Sequence, residues 1–281
     1  MHTCHTIADV RQAMAGLRTQ GLRLGLVPTM GCLHEGHLSL IRLARERADA
    51  VMATIFVNPT QFGPGEDFAA YPRPLEADRA ALEGAGTDLL FLPDRNEVYP
   101  PDYSVFVEET SLSDTLCGRT RPGHFRGVCT VVAKLLNIVQ PDLAVFGEKD
   151  AQQLRIIRRL VRDLHLPVEI VAGPLVREAD GLALSSRNRY LSPEDRRHAL
   201  ALSRALFAAR DRFRAGERDA VRLIATARQI LHTEPGVRTD YLELVDDETL
   251  RPLDRLDRPA LLAVAAYVGP ARLIDNVRLL R

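Results

Sequence analysis

The chain has 281 residues, enough for one large or two ordinary domains, and its apolar share of 46% lies in the normal globular range. Its 37 basic and 37 acidic residues cancel, which removes any net pull towards nucleic acid or an anionic membrane. No run approaches about 18 uninterrupted apolar residues, and the first residues, with His2, His5, Asp9 and Arg11, form no apolar leader, so a cytoplasmic protein handling small molecules is expected.

In chain order, the spacing predicts a helix over 7–19, a buried strand at Leu24–Val27, a turn at Pro28–Gly31 and a helix over 36–48 with Leu38, Ile41, Ala44 and Ala48 on one face. A strand at 51–57 completes a βαβ unit. The alternation continues with a helix at 75–83, a strand at 88–92, a helix at 128–139, a strand at 143–146, a helix at 152–164 and a strand at 168–171. Strands this continuously apolar, alternating with amphipathic helices, imply a parallel sheet covered on both faces.

After Gly173-Pro174 the pattern changes to a polar loop, helices at 193–215 and 219–232, and short strands at 241–245 and 261–266. The expected fold class is therefore α/β: a doubly wound, Rossmann-like parallel-sheet domain over 1–175, then a smaller α+β domain over 176–281. Ligands of such sheets bind beyond the carboxyl ends of the strands, where Thr29, Asn58 and Gly147 all fall.

Four stretches carry candidate chemistry. Between a strand and a helix N-terminus lies Pro28-Thr29-Met30-Gly31-Cys32-Leu33-His34-Glu35-Gly36-His37. A helix N-terminus has unpaired N–H groups and a partial positive charge that suit a phosphate, and the glycines allow close approach. His34 and His37 share a helical face and can donate to phosphate oxygens. Zinc binding by Cys32, His34 and His37 is the rival reading, but it lacks a further ligand at sensible spacing. The second stretch, Phe56-Val57-Asn58-Pro59-Thr60-Gln61-Phe62-Gly63 with Tyr71-Pro72-Arg73, offers amides that can bind neutral hydroxyls and carboxylates, Gln61 among them, or is merely a turn with Gln61 a solvated loop residue.

The third comprises Arg121-Pro122-Gly123-His124-Phe125-Arg126-Gly127-Val128 and Phe146-Gly147-Glu148-Lys149-Asp150-Ala151-Gln152-Gln153. Only Lys134 and Lys149 stand against 35 arginines, so a lysine that persists is a candidate for a role arginine cannot fill, such as touching one phosphate. Arg121 and Arg126 are open between phosphate binding and ordinary surface pairing. The fourth is Val176-Arg177-Glu178 with Asp180 to Asn188, in which Ser185, Ser186 and Arg187 suit a polyphosphate, with a helix-capping segment as the alternative. The four cysteines, Cys4, Cys32, Cys117 and Cys129, have no C-x-x-C spacing and read as reduced thiols.

The 28–37 stretch resembles the H-x-G-H signature of the nucleotidyltransferase superfamily, and with the other three, and Ala271-Arg272-Leu273-Ile274-Asp275-Asn276 near the end, the chain is similar to the pantothenate synthetase family of pantoate–β-alanine ligases. The resemblance implies ATP-dependent condensation of pantoate with β-alanine through a pantoyl adenylate, releasing AMP and pyrophosphate. It implies catalytic roles for His34, His37, Lys149 and Arg187. It places ATP on Met30, Gly31, Cys32, Leu33, His34, Glu35, Gly36, His37, Gly147, Glu148, Lys149, Asp150, Val176, Leu184, Ser185, Ser186 and Arg187. Pantoate falls to Gln61 and Gln153, and β-alanine to Gln61. Mg²⁺ is expected with ATP, with Asp78 a weak candidate ligand, and the family implies a homodimer whose C-terminal domain closes over ATP.

Overall fold

In the computed structural model, which describes residues 1–280, the apolar runs of the first two-thirds of the chain form one parallel sheet flanked by helices. The elements are β1 (His2–Cys4), α1 (Ile7–Thr19), β2 (Leu24–Thr29), α2 (Glu35–Arg45), β3 (Ala50–Ile55), a 3-10 turn at Pro59–Gln61, α3 (Leu75–Gly84), β4 (Leu89–Phe91), α4 (Arg95–Val98), α5 (Leu116–Thr120), α6 (His124–Val139), β5 (Leu143–Gly147), α7 (Ala151–Asp163) and β6 (Glu169–Gly173). Strand order is β1-β4-β3-β2-β5-β6, every pair parallel. The chain winds from β2 outward through β3 and β4, then returns to the other side of β2 with β5. That reversal makes β2 and β5 the switch point where a crevice opens.

Local chemistry sets the boundaries. Thr6 caps α1, its hydroxyl accepting the Asp9 N–H while the Asp9 carboxylate accepts the Thr6 N–H, a reciprocal cap. On α2, Leu40, Ile41 and Ala44 bury against Val27, Val51, Ala53 and Val145 of three adjacent strands. The sheet gains one strand that periodicity did not predict: β1 is three residues long, too short to show alternation, and pairs with β4.

The chain divides into two compact units: Met1–Ser113 with Arg121–Pro174, and Asp114–Thr120 with the chain from Leu175 onward. The second contains α8 (Pro193–Arg214), α9 (Ala220–His232) and an antiparallel sheet β7 (Val237–Asp246), β8 (Ala260–Val268) and β9 (Ala271–Leu279), in that order. Leu202, Leu206, Leu223, Ala227, Leu262 and Val264 form its core. Two strands exceed expectation. β7 begins four residues before the apolar run, with a register irregularity between Thr239 and Tyr241, and β9 contains the 271–276 motif. Excluding Arg281, no helix is long and apolar enough to cross a membrane.

Candidate active site

The loop leaving β2 is fastened from below. The Thr29 hydroxyl donates to the Thr54 carbonyl at 2.6 Å, and Thr29 Oγ1 lies 3.2 Å from the Gly31 N–H. Gly31 and Cys32 then adopt φ of +79° and +51°, a left-handed pair that turns the chain back over the sheet. Glycine is required at 31, because a Cβ there would lie 3.0 Å from both Asp78 Oδ2 and Ile55 Cγ2.

Asp78, on α3 and only 3% exposed, explains how the strained turn persists. Its Oδ2 accepts the Cys32 N–H and its Oδ1 the Leu33 N–H, both at 2.7 Å. Both carboxylate oxygens thus serve the backbone, and Asp78 is the anchor of this loop where the sequence offered it as a weak metal ligand. Among the described residues no group of three or more His, Cys, Asp or Glu could hold a metal ion.

The anchored turn delivers His34 to the N-cap of α2 and His37 to its first turn. The rings lie 4.0 Å apart, centroid to centroid, and the His34 backbone N–H donates to His37 Nδ1 at 3.3 Å. An amide N–H can only donate, so Nδ1 must carry the lone pair. Burial first, then the nearby His34 and Lys149, hold the His37 pKa well below the ordinary histidine value. His37 is therefore a neutral ring with its proton on Nε2, a fixed donor beside a helix N-terminus. Glu35 and Gly36 complete this first turn, while Cys32 and Leu33 are buried beneath it.

At the neighbouring strand, Gly147 ends β5, and Glu148, Lys149 and Asp150 form a 3-10 turn leading into α7. The β2 and β5 loops thus leave the same carboxyl edge at the switch point, and Lys149 is near enough to bias the His37 titration. Gln153 is partly exposed in the first turn of α7.

Gln61 closes the 3-10 turn after β3 and meets the first loop directly, its Nε2 lying 3.2 Å from Met30 Sδ. Its Oε1 accepts from Asn58 Nδ2 at 3.0 Å, and Asn58 Nδ2 also donates to the Gly127 carbonyl at 3.1 Å. The Arg121–Val128 stretch supports this turn. His124 Nδ1 donates to the Gln61 carbonyl at 2.8 Å, since a carbonyl only accepts. Its Nε2 then accepts from Arg121 Nη1 at 3.1 Å. Burial, then the Arg121 guanidinium, push the His124 pKa down to about 4. Gly127 brings α6 backbone against backbone: a Cβ there would sit 2.3 Å from the Thr60 carbonyl oxygen and 2.6 Å from the Gln61 nitrogen. The two arginines left open find protein partners, Arg121 bidentate on Glu66 at 2.7 Å and Arg126 over the Phe106 ring at 5.0 Å.

The second unit contains the fourth stretch. The Leu184 N–H donates to the Val176 carbonyl at 3.1 Å, so these two residues face each other across a short hairpin turned by Gly181 at φ +95°. Arg177 bolts the hairpin down with paired bonds of 2.7 and 2.8 Å to Asp275, which is 3% exposed. This pairing gives the 271–276 motif a structural purpose. Ser185 caps a 3-10 turn at Ser186–Tyr190 that contains Arg187, accepting the Arg187 N–H at 3.3 Å.

Comparison with known proteins agrees over the whole chain. The family model described as Pantoate-beta-alanine ligase matches residues 2–278. A pantothenate synthetase of Thermotoga neapolitana is 55% identical over 276 residues, covering 98% of this chain and 99% of that protein. The crystal structure of pantothenate synthetase from Thermus thermophilus superposes with a TM-score of 0.95 at 49% identity, over 100% of both chains. The Francisella tularensis pantoate-β-alanine ligase, crystallised with β-γ ATP and β-alanine, gives 0.81 at 34% identity, over 99% of this chain and 97% of that one. Matched almost end to end by model, sequence and fold alike, the chain belongs to the pantoate–β-alanine ligase family.

Proposed function

We propose that this chain joins pantoate to β-alanine at the carboxyl edge of its parallel sheet, by way of a pantoyl adenylate. A carboxylate is a poor electrophile without a leaving group, and adenylation supplies one. A pantoate carboxylate oxygen attacks the α-phosphorus of ATP in line and pyrophosphate departs. The β-alanine amine, as free base, then attacks the acyl carbon and AMP leaves.

The observation that carries the reading is the locked His37 tautomer at the start of α2. A neutral Nε2–H donor is pre-aimed, needs no proton to act, and gains strength as negative charge grows on the phosphate oxygens during displacement. We assign His34 and Lys149 to the same phosphates and the backbone of Met30 to His37, with Gly147 to Asp150, to the nucleotide. Gln61 and Gln153 are assigned to pantoate, and Gln61 also to β-alanine. From the second unit, Val176, Leu184, Ser185, Ser186 and Arg187 are assigned to ATP; their support is a hairpin and capped turn rich in donors. Residues 1–175 would bind ATP and pantoate, with 176–281 closing over the nucleotide.

Asp78 is 3% exposed with one N–H on each carboxylate oxygen, and among the described residues no cluster of three His, Cys, Asp or Glu side chains accompanies it, so the surroundings do not fit a protein-held cation. Mg²⁺ would enter as part of the nucleotide, bound by its phosphates. The same reading extends to a homodimer in the cytoplasm, for which the family resemblance is the support and sedimentation the test.

The decisive experiment is exchange of labelled pyrophosphate into ATP. Exchange should require pantoate and proceed without β-alanine, and a strict need for β-alanine would overturn the adenylate route. Protease cleavage within residues 177–190 should slow on adding ATP and Mg²⁺.

A further inference from the structure

The nucleotide chemistry uses one of the two lysines and leaves the other without a task. Lys134, on α6, donates from Nζ to the Val98 carbonyl at 2.7 Å and sits 4.6 Å from the centre of the Tyr99 ring. Tyr99 is 2% exposed, and its hydroxyl donates to Asn58 Oδ1 at 2.9 Å. That oxygen also accepts from the Thr60 hydroxyl at 2.9 Å and from the Thr60 N–H at 3.4 Å. The opposite end of the same amide donates to the Gly127 carbonyl and to Gln61 Oε1.

The polarity of this chain permits one orientation. If the Asn58 amide flipped, its NH₂ would face the Thr60 N–H and its oxygen the Gly127 carbonyl, donor against donor and acceptor against acceptor. With Asn58 fixed, Gln61 must turn Oε1 inward and present Nε2. Its Nε2, on the side away from Asn58, donates one N–H to Met30 Sδ at 3.2 Å and keeps the second for a carboxylate or hydroxyl oxygen.

We propose that Tyr99, clamped by Lys134, is a positioning residue that, with the Thr60 N–H and the Gly127 carbonyl, holds the Asn58 amide and through it the Gln61 amide, so that the acid site presents a donor. The inference rests on the assignment of Gln61 to pantoate. Burial pushes the Tyr99 phenol up to about 12, so its hydroxyl remains a donor throughout any practical assay range. Lys134 holds the ring by its charge and fastens Val98, the preceding residue, by its hydrogen bond. An arginine there would spread its charge over a planar fork and could not repeat both contacts with one atom.

The test is a double-mutant cycle on the full-length enzyme with Tyr99→Phe and Gln61→Ala, measuring KM for pantoate and for ATP. Tyr99→Phe keeps the ring under Lys134 and removes only the hydroxyl. It should raise the pantoate KM about fivefold, the effect of one lost hydrogen bond, and leave the ATP KM unchanged. In the Gln61→Ala background the same substitution should have no further effect. An unchanged pantoate KM, or an increase that persists undiminished without Gln61, would overturn the proposal while leaving the acid-site assignment standing. If Gln61→Ala alone leaves pantoate KM untouched, the acid-site assignment itself falls, and this inference with it.

Discussion

Asp78→Asn preserves the size and shape of a buried side chain while removing one of its two acceptors. Each carboxylate oxygen receives a backbone N–H at 2.7 Å, from Cys32 and Leu33. The amide can satisfy one of them and must turn its NH₂ towards the other. A hydrogen bond to a charged group contributes roughly 1.5–3 kcal/mol, and a buried donor without a partner costs about 1–3 kcal/mol, two overlapping measures of one loss. Weakening of the surviving bond adds to it, for a net destabilisation of about 2–4 kcal/mol. At about 2–4 °C per kcal/mol for a unit of this size, the melting temperature should fall by roughly 4–16 °C. Because the left-handed pair Gly31-Cys32 aims His34 and His37, pyrophosphate exchange should also fall, about 10- to 100-fold. Calorimetry and exchange on the same preparation read both effects. A variant with an unchanged melting temperature, whose lost activity excess Mg²⁺ restores, would refute the anchoring role and make Asp78 a metal ligand after all.

Gly127→Ala places a methyl 2.3 Å from the Thr60 carbonyl oxygen, so α6 and the 59–61 turn must part by about 1 Å. The pantoate KM should rise at least tenfold with ATP KM unaffected, and wild-type pantoate binding would show that the close approach is dispensable. His37→Ala should lower kcat and kcat/KM together, about 10²- to 10³-fold, as for loss of one preorganised donor; wild-type turnover would make the ring structural. His124, with its pKa depressed to about 4, binds its proton in the unfolded chain first. Its contribution to stability is therefore complete above about pH 6.5 and declines by up to roughly 1.4 kcal/mol per pH unit towards pH 4. His124→Gln keeps a donor for the Gln61 carbonyl and does not titrate, so denaturant curves from about pH 7.5 to 4.5 should show a flatter acid limb. Equal slopes in both proteins would count against the buried neutral histidine.

The strand–turn–helix from Leu24 to Arg45 was legible because its signals are local: a continuous apolar run, a glycine turn, then a helical period of about 3.6 residues. The same applies to the β5 exit at Gly147. What no local pattern could disclose is which distant side chain faces a given loop. Asp78 reaches back 46 residues to Cys32, Asn58 reaches 69 forward to Gly127, and Arg177 spans 98 to Asp275. Periodicity reports which face of an element is buried; it carries nothing about the partner. A weak signal for Gly127 existed, since a glycine inside an apolar helix lowers helix propensity and implies a close approach. Asp78 offered a charge on a face shared with the buried Leu82, four residues on. Motif resemblance located Gln61 and the 271–276 segment, yet their supporting bonds had to be read from the packed structure.

The excursion at Asp114–Thr120 also sets a timetable for synthesis. Leu116 and Cys117 are buried, and Cys117 lies among second-unit groups: 3.4 Å from the Tyr241 hydroxyl and 3.4 Å from Arg272, which is 155 residues further along. At about 5–20 residues per second, a ribosome needs roughly 8–30 s between making the cysteine and making that arginine. Throughout that interval the sheet of the first unit can assemble, while Leu116 and Cys117, on a loop between its halves, wait for a binding surface not yet made. A nascent chain stalled near residue 175 should therefore carry a folded sheet and an exposed, reactive thiol at Cys117, which completion of β9 withdraws from solvent.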